Sequence, residues 1–172
     1  MLIQFPQGTI RDWRPTDLDR LIILGDNRKI WRNLRDRFPS PYTRAAGEAW
    51  IAHAMAEERH TSFVIAVDDQ LAGSIGLIPG ADIYARSAEV GYWLGEEFWG
   101  RGLAARALAA FAPWCFEEFN MLRLWAAVFV GNPESARVLE KAGFVREAHL
   151  HQAAFKEGQA QDEWIYARLR ER

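Results

Sequence analysis

The stretch Glu89-Val90-Gly91-Tyr92-Trp93-Leu94-Gly95-Glu96-Glu97-Phe98-Trp99-Gly100-Arg101-Gly102-Leu103-Ala104-Ala105 constrains this chain more than any other. A run of period two enters a short loop, and two glycines one residue apart then open an alanine-rich helix. A helix start leaves several N–H groups without partners and carries the positive end of the dipole, so it holds phosphates well. Gly100 and Gly102 let the backbone approach an anion where a Cβ would obstruct it, and Ala104 and Ala105 keep the first turn low. A plain loop entering a helix has the same pattern. A dinucleotide fold is allowed by Gly100-x-Gly102-x-x-Ala105. Against it, the glycines follow the strand only after residues 95–99, and no acidic residue ends the next strand to hold a ribose. A nucleoside-triphosphate P-loop is excluded for want of Gly-Lys-Ser/Thr.

The rest of the chain supplies the frame for this turn. Residues 9–14 read as a short strand, and Thr16 can cap a helix over 17–25. A second helical patch, 30–35, is ended by Phe38-Pro39-Ser40-Pro41. Thr43 caps a third helix reaching about Glu58. Period-two runs follow at 62–67 and 71–78 around Asp68-Asp69-Gln70, a hairpin signal, and again at 87–94. Residues 103–119 are helical, with a bend expected near Pro113. Residues 122–129 form a strand, and 134–142 a helix stopped by Gly143. The last two strands, 144–151 and 162–169, are joined around Lys156-Glu157-Gly158. A mixed sheet with helices on its faces fits, because a strand–helix–strand order supplies a parallel crossover. A length of 172 residues suits one domain, spanning 1–172.

Composition removes several classes of function. The 21 basic and 23 acidic residues leave a net charge of −2, so no global field draws the chain onto nucleic acid or a membrane surface. The apolar stretch around Cys115 is too short to span a bilayer, and the opening residues MLIQFPQGTI lack the pattern of a secretory signal. A cytoplasmic protein, monomer or homodimer, is the expectation. One cysteine excludes an internal disulfide, and four scattered histidines suggest no metal constellation. Cys115 is expected to be a buried thiol.

The segment Trp99-Gly100-Arg101-Gly102-Leu103-Ala104 resembles the acetyl-CoA pyrophosphate loop of GNAT-type N-acetyltransferases. Asn132-Pro133-Glu134-Ser135 and Leu139-Glu140-Lys141-Ala142-Gly143-Phe144 match the family's second cofactor segment. Arg11-Asp12-Trp13-Arg14-Pro15-Thr16-Asp17 resembles its opening strand and helix, and Asp162-Glu163-Trp164-Ile165-Tyr166 its closing strand. Within the family the chain looks most like the branch of ribosomal-protein N-terminal acetyltransferases. The resemblance implies an α/β (α+β) fold with a mixed, mostly antiparallel sheet of six to seven strands, flanked by about four or five helices. It implies acetyl-CoA as cosubstrate, no metal, and direct transfer of the acetyl group to an amine acceptor: a protein N-terminus, a polyamine or a small amine.

Such a transfer needs a neutral amine, whereas α-amino and lysine groups are mostly protonated at neutral pH. A base, a donor for the oxyanion and a proton for the departing thiolate are therefore required. Glu89 is the candidate base, at the strand position where this branch carries a glutamate; its structural alternative is an ion pair with Arg86. Ser135 is the candidate acid, because the position where many relatives carry a tyrosine is Leu139. The cofactor contacts implied are Tyr92, Trp93, Leu94, Trp99, Gly100, Arg101, Gly102, Leu103, Ala104, Ala105, Asn132 and Ser135, with the oxyanion donor a backbone N–H near Tyr92–Leu94. Asn132 also reads as a helix cap, with Pro133 at the first helical position.

Residues 31–42, rich in Arg and aromatics, are either an acceptor groove or a solvated helix edge followed by a proline-locked loop. His149 and His151 alternate on one strand, as pocket lining or as surface histidines. Of the eight tryptophans, Trp13, Trp114, Trp125 and Trp164 read as packing, Trp93 and Trp99 as flanking the site, and Trp31 and Trp50 as bordering the acceptor. Two other functions stay open. A non-catalytic acyl-CoA-binding module would keep the cofactor turn and lose turnover, and a nicotinamide oxidoreductase would use the Gly-x-Gly turn differently.

Overall fold

In the computed structural model, which describes residues 2–171, strands and helices follow the expected order with one addition at the amino end and a longer closing hairpin. The strands are β1 (Leu2–Phe5), β2 (Gly8–Arg11), β3 (Ser62–Val67), β4 (Gln70–Pro79), β5 (Ser87–Leu94), β6 (Arg123–Phe129), β7 (Val145–Lys156) and β8 (Gln159–Leu169). The helices are α1 (Leu18–Gly25), α2 (Arg28–Trp31), α3 (Arg44–Ala56), α4 (Leu103–Glu118) and α5 (Pro133–Lys141). Eight strands replace the expected six or seven, and the five helices agree with expectation. The fold class is the mixed, mostly antiparallel α/β one. No helix among the described residues is long and apolar enough to cross a membrane.

The chain divides into two compact units, residues 1–76 with 92–107 and residues 77–91 with 108–172. In the first, β1 through β4 pair antiparallel in chain order. Strand β1 is the addition at the amino end. It pairs with β2 through a turn in which Gln7 takes φ 75°, and Pro6 and Gln7 hide the strand from a period-two reading. Buried Trp13, Leu21, Leu24, Tyr42, Ile51, Val64 and Leu71 form the core of this unit, with Phe38, Trp93 and Phe98 packed against it. Thr43 caps α3 as expected, its hydroxyl accepting the Ala46 N–H at 3.2 Å.

Strand β2 stops at Arg11 rather than residue 14, because Pro15 opens a 3-10 turn over Pro15–Asp17. Asp17, not Thr16, precedes α1, and its carboxylate turns inward. It accepts the Arg14 N–H at 2.8 Å and two guanidinium bonds from Arg11, at 2.7 and 2.9 Å. Both side chains are about 4% exposed. Arg11 also donates to the Asp69 carbonyl at 2.9 Å, so one buried pair ties β2, the first turn and the β3–β4 hairpin together.

In the second unit the order is β5-β6-β8-β7, with β5 and β6 parallel and the other pairs antiparallel. Leu124, Ala126 and Val128 of β6 are buried, while Trp125, Ala127 and Phe129 on its other face are half-buried. Buried Leu108, Phe111, Cys115, Leu139 and Tyr166 fill the core here. Helix α4 is helical on both sides of Pro113. The closing hairpin is longer than its apolar pattern suggests, 12 and 11 residues, and turns on Glu157 and Gly158, both at positive φ. Paired positive-φ residues match the right-handed twist of a hairpin. Of the four tryptophans read as packing, only Trp13 is fully buried; Trp114, Trp125 and Trp164 are half-buried.

Candidate functional site

The glycine turn has the backbone an anion cradle needs. Gly100 and Gly102 both take positive φ, 73° and 70°, which a side chain disfavours. A Cβ on Gly100 would stand in open space, and one on Gly102 would meet only the Arg106 guanidinium, at 3.0 Å. The first intrahelical donor of α4 is the Arg106 N–H, to the Gly102 carbonyl at 3.2 Å. The N–H groups of Leu103, Ala104 and Ala105 therefore precede the hydrogen-bonded ladder, at the positive end of the helix dipole.

Three sets of contacts hold this turn in place. The indole N–H of Trp99 donates to the Leu94 carbonyl at 2.8 Å, folding the loop onto the end of β5. Arg106 donates to the Arg101 carbonyl at 2.8 Å and to the Pro6 carbonyl at 3.2 Å, and also bonds the Gln7 side chain. Before the glycines, Glu97 pairs with Arg20 at 2.5 Å, and Glu96 pairs with Lys29 and accepts from Asn27 at 2.8 Å. The Lys29 ammonium holds the Glu96 carboxyl below its ordinary range. Arg101 lies over the Phe98 ring at 5.9 Å. The loop is thus braced on α1, on α2 and on the β1–β2 turn, with Trp99 itself 43% exposed.

Strand β5 carries the other candidates at this end. Trp93 packs edge-on against Phe38 at 5.5 Å, and Phe38 stacks obliquely on Tyr42 at 4.9 Å. The proline-locked loop 38–42 is therefore fastened over Trp93, and Arg32, Asn33, Arg35, Asp36 and Arg37 ahead of it are exposed, as the solvated-edge reading has it. Burial pushes the Tyr42 phenol up to about 12. Tyr92 is half-buried, Leu94 is buried, and the Gly95 N–H donates to the Ala72 carbonyl at 2.9 Å.

In the second unit, Glu89 is half-buried and sits opposite Trp125 in the parallel β5–β6 register. That ladder runs from Ser87–Arg123 to Glu89–Trp125 and stops, although β6 continues to Phe129. Arg86, the partner named in the structural alternative for Glu89, donates to the Asn120 carbonyl at 3.0 Å and to its side-chain oxygen at 2.8 Å. The Asn132 side chain accepts the Ser135 N–H at 3.3 Å and caps α5 with Pro133 at its start, as expected. Ser135 is half-buried. Leu139 is completely buried, so no hydroxyl stands at that position. Cys115 is buried, and desolvation pushes its thiol up.

One grouping escaped the sequence. His149 and His151 are exposed strand histidines, as one reading has it, but both reach one oxygen of Asp162 from across the closing hairpin. The signal available was the His-x-His alternation facing the first residue of the expected last strand.

The acetyltransferase (GNAT) domain model matches residues 8–145. The ribosomal-protein-serine acetyltransferase of Escherichia coli is 33% identical over 107 residues, 62% of this chain and 59% of that protein. The crystal structure of spermidine N-acetyltransferase from Vibrio cholerae, in complex with CoA and spermine, superposes with a TM-score of 0.79 at 27% identity, covering 95% of each chain. RimL, a ribosomal L7/L12 alpha-N-protein acetyltransferase solved with coenzyme A, superposes with a TM-score of 0.86 at 22% identity over 98% of each chain. The matched stretch spans between half and three fifths of the curated relatives' length.

Proposed function

Because the chain belongs to the acetyltransferase (GNAT) family, we propose that it transfers the acetyl group of acetyl-CoA to a primary amine, as one catalytic domain over residues 1–172. The observation that carries this reading is the positive-φ pair Gly100 and Gly102 at the start of α4, with open space above Gly100. That cradle fits a pyrophosphate. The N–H groups of Leu103, Ala104 and Ala105 would hold it, with Arg101 nearby as a charge. Trp99 keeps the turn folded, and the edge of β5 at Tyr92, Trp93 and Leu94 would bind the arm of CoA and present a backbone N–H to the oxyanion. Acetyl-CoA supplies an activated thioester. Glu89 takes a proton from the incoming ammonium, Asn132 holds the start of α5, and Ser135 delivers a hydrogen bond or proton to the sulfur.

The acceptor belongs to the primary amines that relatives use: the E. coli relative is named for a ribosomal-protein serine, and the V. cholerae relative for spermidine. A cytoplasmic setting, where acetyl-CoA is made and used, goes with this activity. The buried Leu139, in the place of a tyrosine, favours a second reading, a CoA-binding module without turnover.

Calorimetric titration with CoA and with NAD tests the cradle. Wild-type protein is expected to bind CoA and not NAD, and Gly102→Val to weaken CoA binding about a hundredfold, roughly 2.8 kcal/mol. Valine at positive φ also costs about 1–3 kcal/mol of stability, so Gly100→Ala, whose Cβ meets no neighbour, serves as the gentler variant. Unchanged CoA affinity in both variants, or binding of NAD alone, would overturn the assignment. Trp99→Phe removes the indole N–H, and some ring volume with it, and is expected to weaken CoA binding by about tenfold, near the worth of one hydrogen bond.

A further inference from the structure

We propose that His149, His151 and Asp162 form a binding site for a first-row divalent transition-metal cation such as Zn2+, laced across the closing hairpin. His149 Nε2 and His151 Nδ1 lie 2.8 and 2.9 Å from the same oxygen, Asp162 Oδ2. The three ligand atoms all fall within 4.8 Å of one another. Two imidazole nitrogens and one carboxylate oxygen are a donor set that suits zinc, and also cobalt or nickel.

The hairpin builds this cluster by an irregularity. Residues two apart on a strand share a face, which brings His149 and His151 to one side of β7, their rings 4.4 Å apart. Asp162 shares the corresponding face of β8 with Trp164, the register partner of His149. The register shifts between Leu150 and Ala154, and Gln152 takes φ 51° within that bulge. The Gln152 N–H then donates to Asp162 Oδ1 at 2.9 Å. One carboxylate oxygen is thus fixed by the backbone, and the other is aimed at the two imidazoles. This is how an outer-shell partner orients a metal ligand.

Tetrahedral zinc bonds of about 2.0–2.1 Å place ligand atoms roughly 3.3 Å apart. The two contacts must then open by about 0.4–0.5 Å, well within the reach of exposed side chains. Three protein ligands leave a fourth position for water or another donor. His149 and His151 are 42% and 77% exposed, so a cation has direct access. The other described histidines are engaged elsewhere, His60 with Asp12 and His53 with Glu57. This site is separate in its residues from those proposed for acetyl transfer.

The test uses tag-free, chelator-stripped full-length protein titrated with Zn2+ against a competing chelator. One equivalent is expected to bind in the micromolar range or tighter, and Co2+ to give the visible absorption of a low-coordinate site. His149→Ala and His151→Ala should each weaken Zn2+ binding by at least about tenfold, with the fold intact because both side chains are exposed. His53→Ala and His60→Ala should bind as wild type. Absence of binding below millimolar Zn2+, or affinity unchanged in both His149→Ala and His151→Ala, would overturn the proposal.

Discussion

Replacing Glu89 by glutamine is expected to lower acetyl transfer by about 10²–10⁴-fold at saturating acetyl-CoA, the usual worth of a positioned general base. CoA affinity should be unchanged, because the proposed pyrophosphate contacts are main-chain groups of residues 103–105. Glutamine keeps the size and hydrogen-bonding reach of glutamate but cannot accept a proton from an ammonium. The position supports the role. Glu89 sits at the last paired rung of the parallel β5–β6 ladder, just ahead of Tyr92 and Trp93. Steady-state rates against amine concentration, beside a CoA titration, measure both quantities. A wild-type rate in Glu89→Gln would assign deprotonation to solvent.

The second large effect concerns stability. Asp17→Ala should destabilise the protein by about 3–5 kcal/mol, because it removes the buried carboxylate that accepts two bonds from the Arg11 guanidinium and leaves that charge to Asp69, 3.2 Å away and exposed. Arg11 is 3% exposed, and its bonds to Asp17 at 2.7 and 2.9 Å compensate that burial. The Arg14 N–H would lose its acceptor as well. Replacing the whole pair, as in Arg11→Met with Asp17→Leu, should recover much of the loss, since an apolar pair leaves no uncompensated charge. Urea unfolding midpoints compare the three proteins. A loss below about 1 kcal/mol in Asp17→Ala would mean that water or Asp69 takes over the guanidinium.

Features set by local rules were legible in the sequence. The glycine pair at a helix start, Asn132 followed by Pro133, and Thr43 ahead of α3 each follow from the needs of a few neighbouring backbone groups. Features set by distant partners were not. Asp17 reads in the sequence only as the first residue of the helix over 17–25, and only the fold shows it buried on Arg11. Strand β1 was masked by Pro6 and Gln7. The closing strands seemed to end at His151 and begin at Asp162 because a bulge interrupts alternation there, and the same bulge brings those two residues together. The tryptophans show both limits. Trp13 was rightly placed in the core, while Trp93, expected to flank the site, also packs against the core of the first unit.

The central claim is tested most directly by incubating the protein with labelled acetyl-CoA and a panel of primary amines. The panel should hold peptides with free alanine or serine N-termini, spermidine, spermine and small amines. Label is predicted on an amine nitrogen of at least one class, with equal release of free CoA and a rate proportional to protein. Tight CoA binding with no transfer to any amine would contradict it.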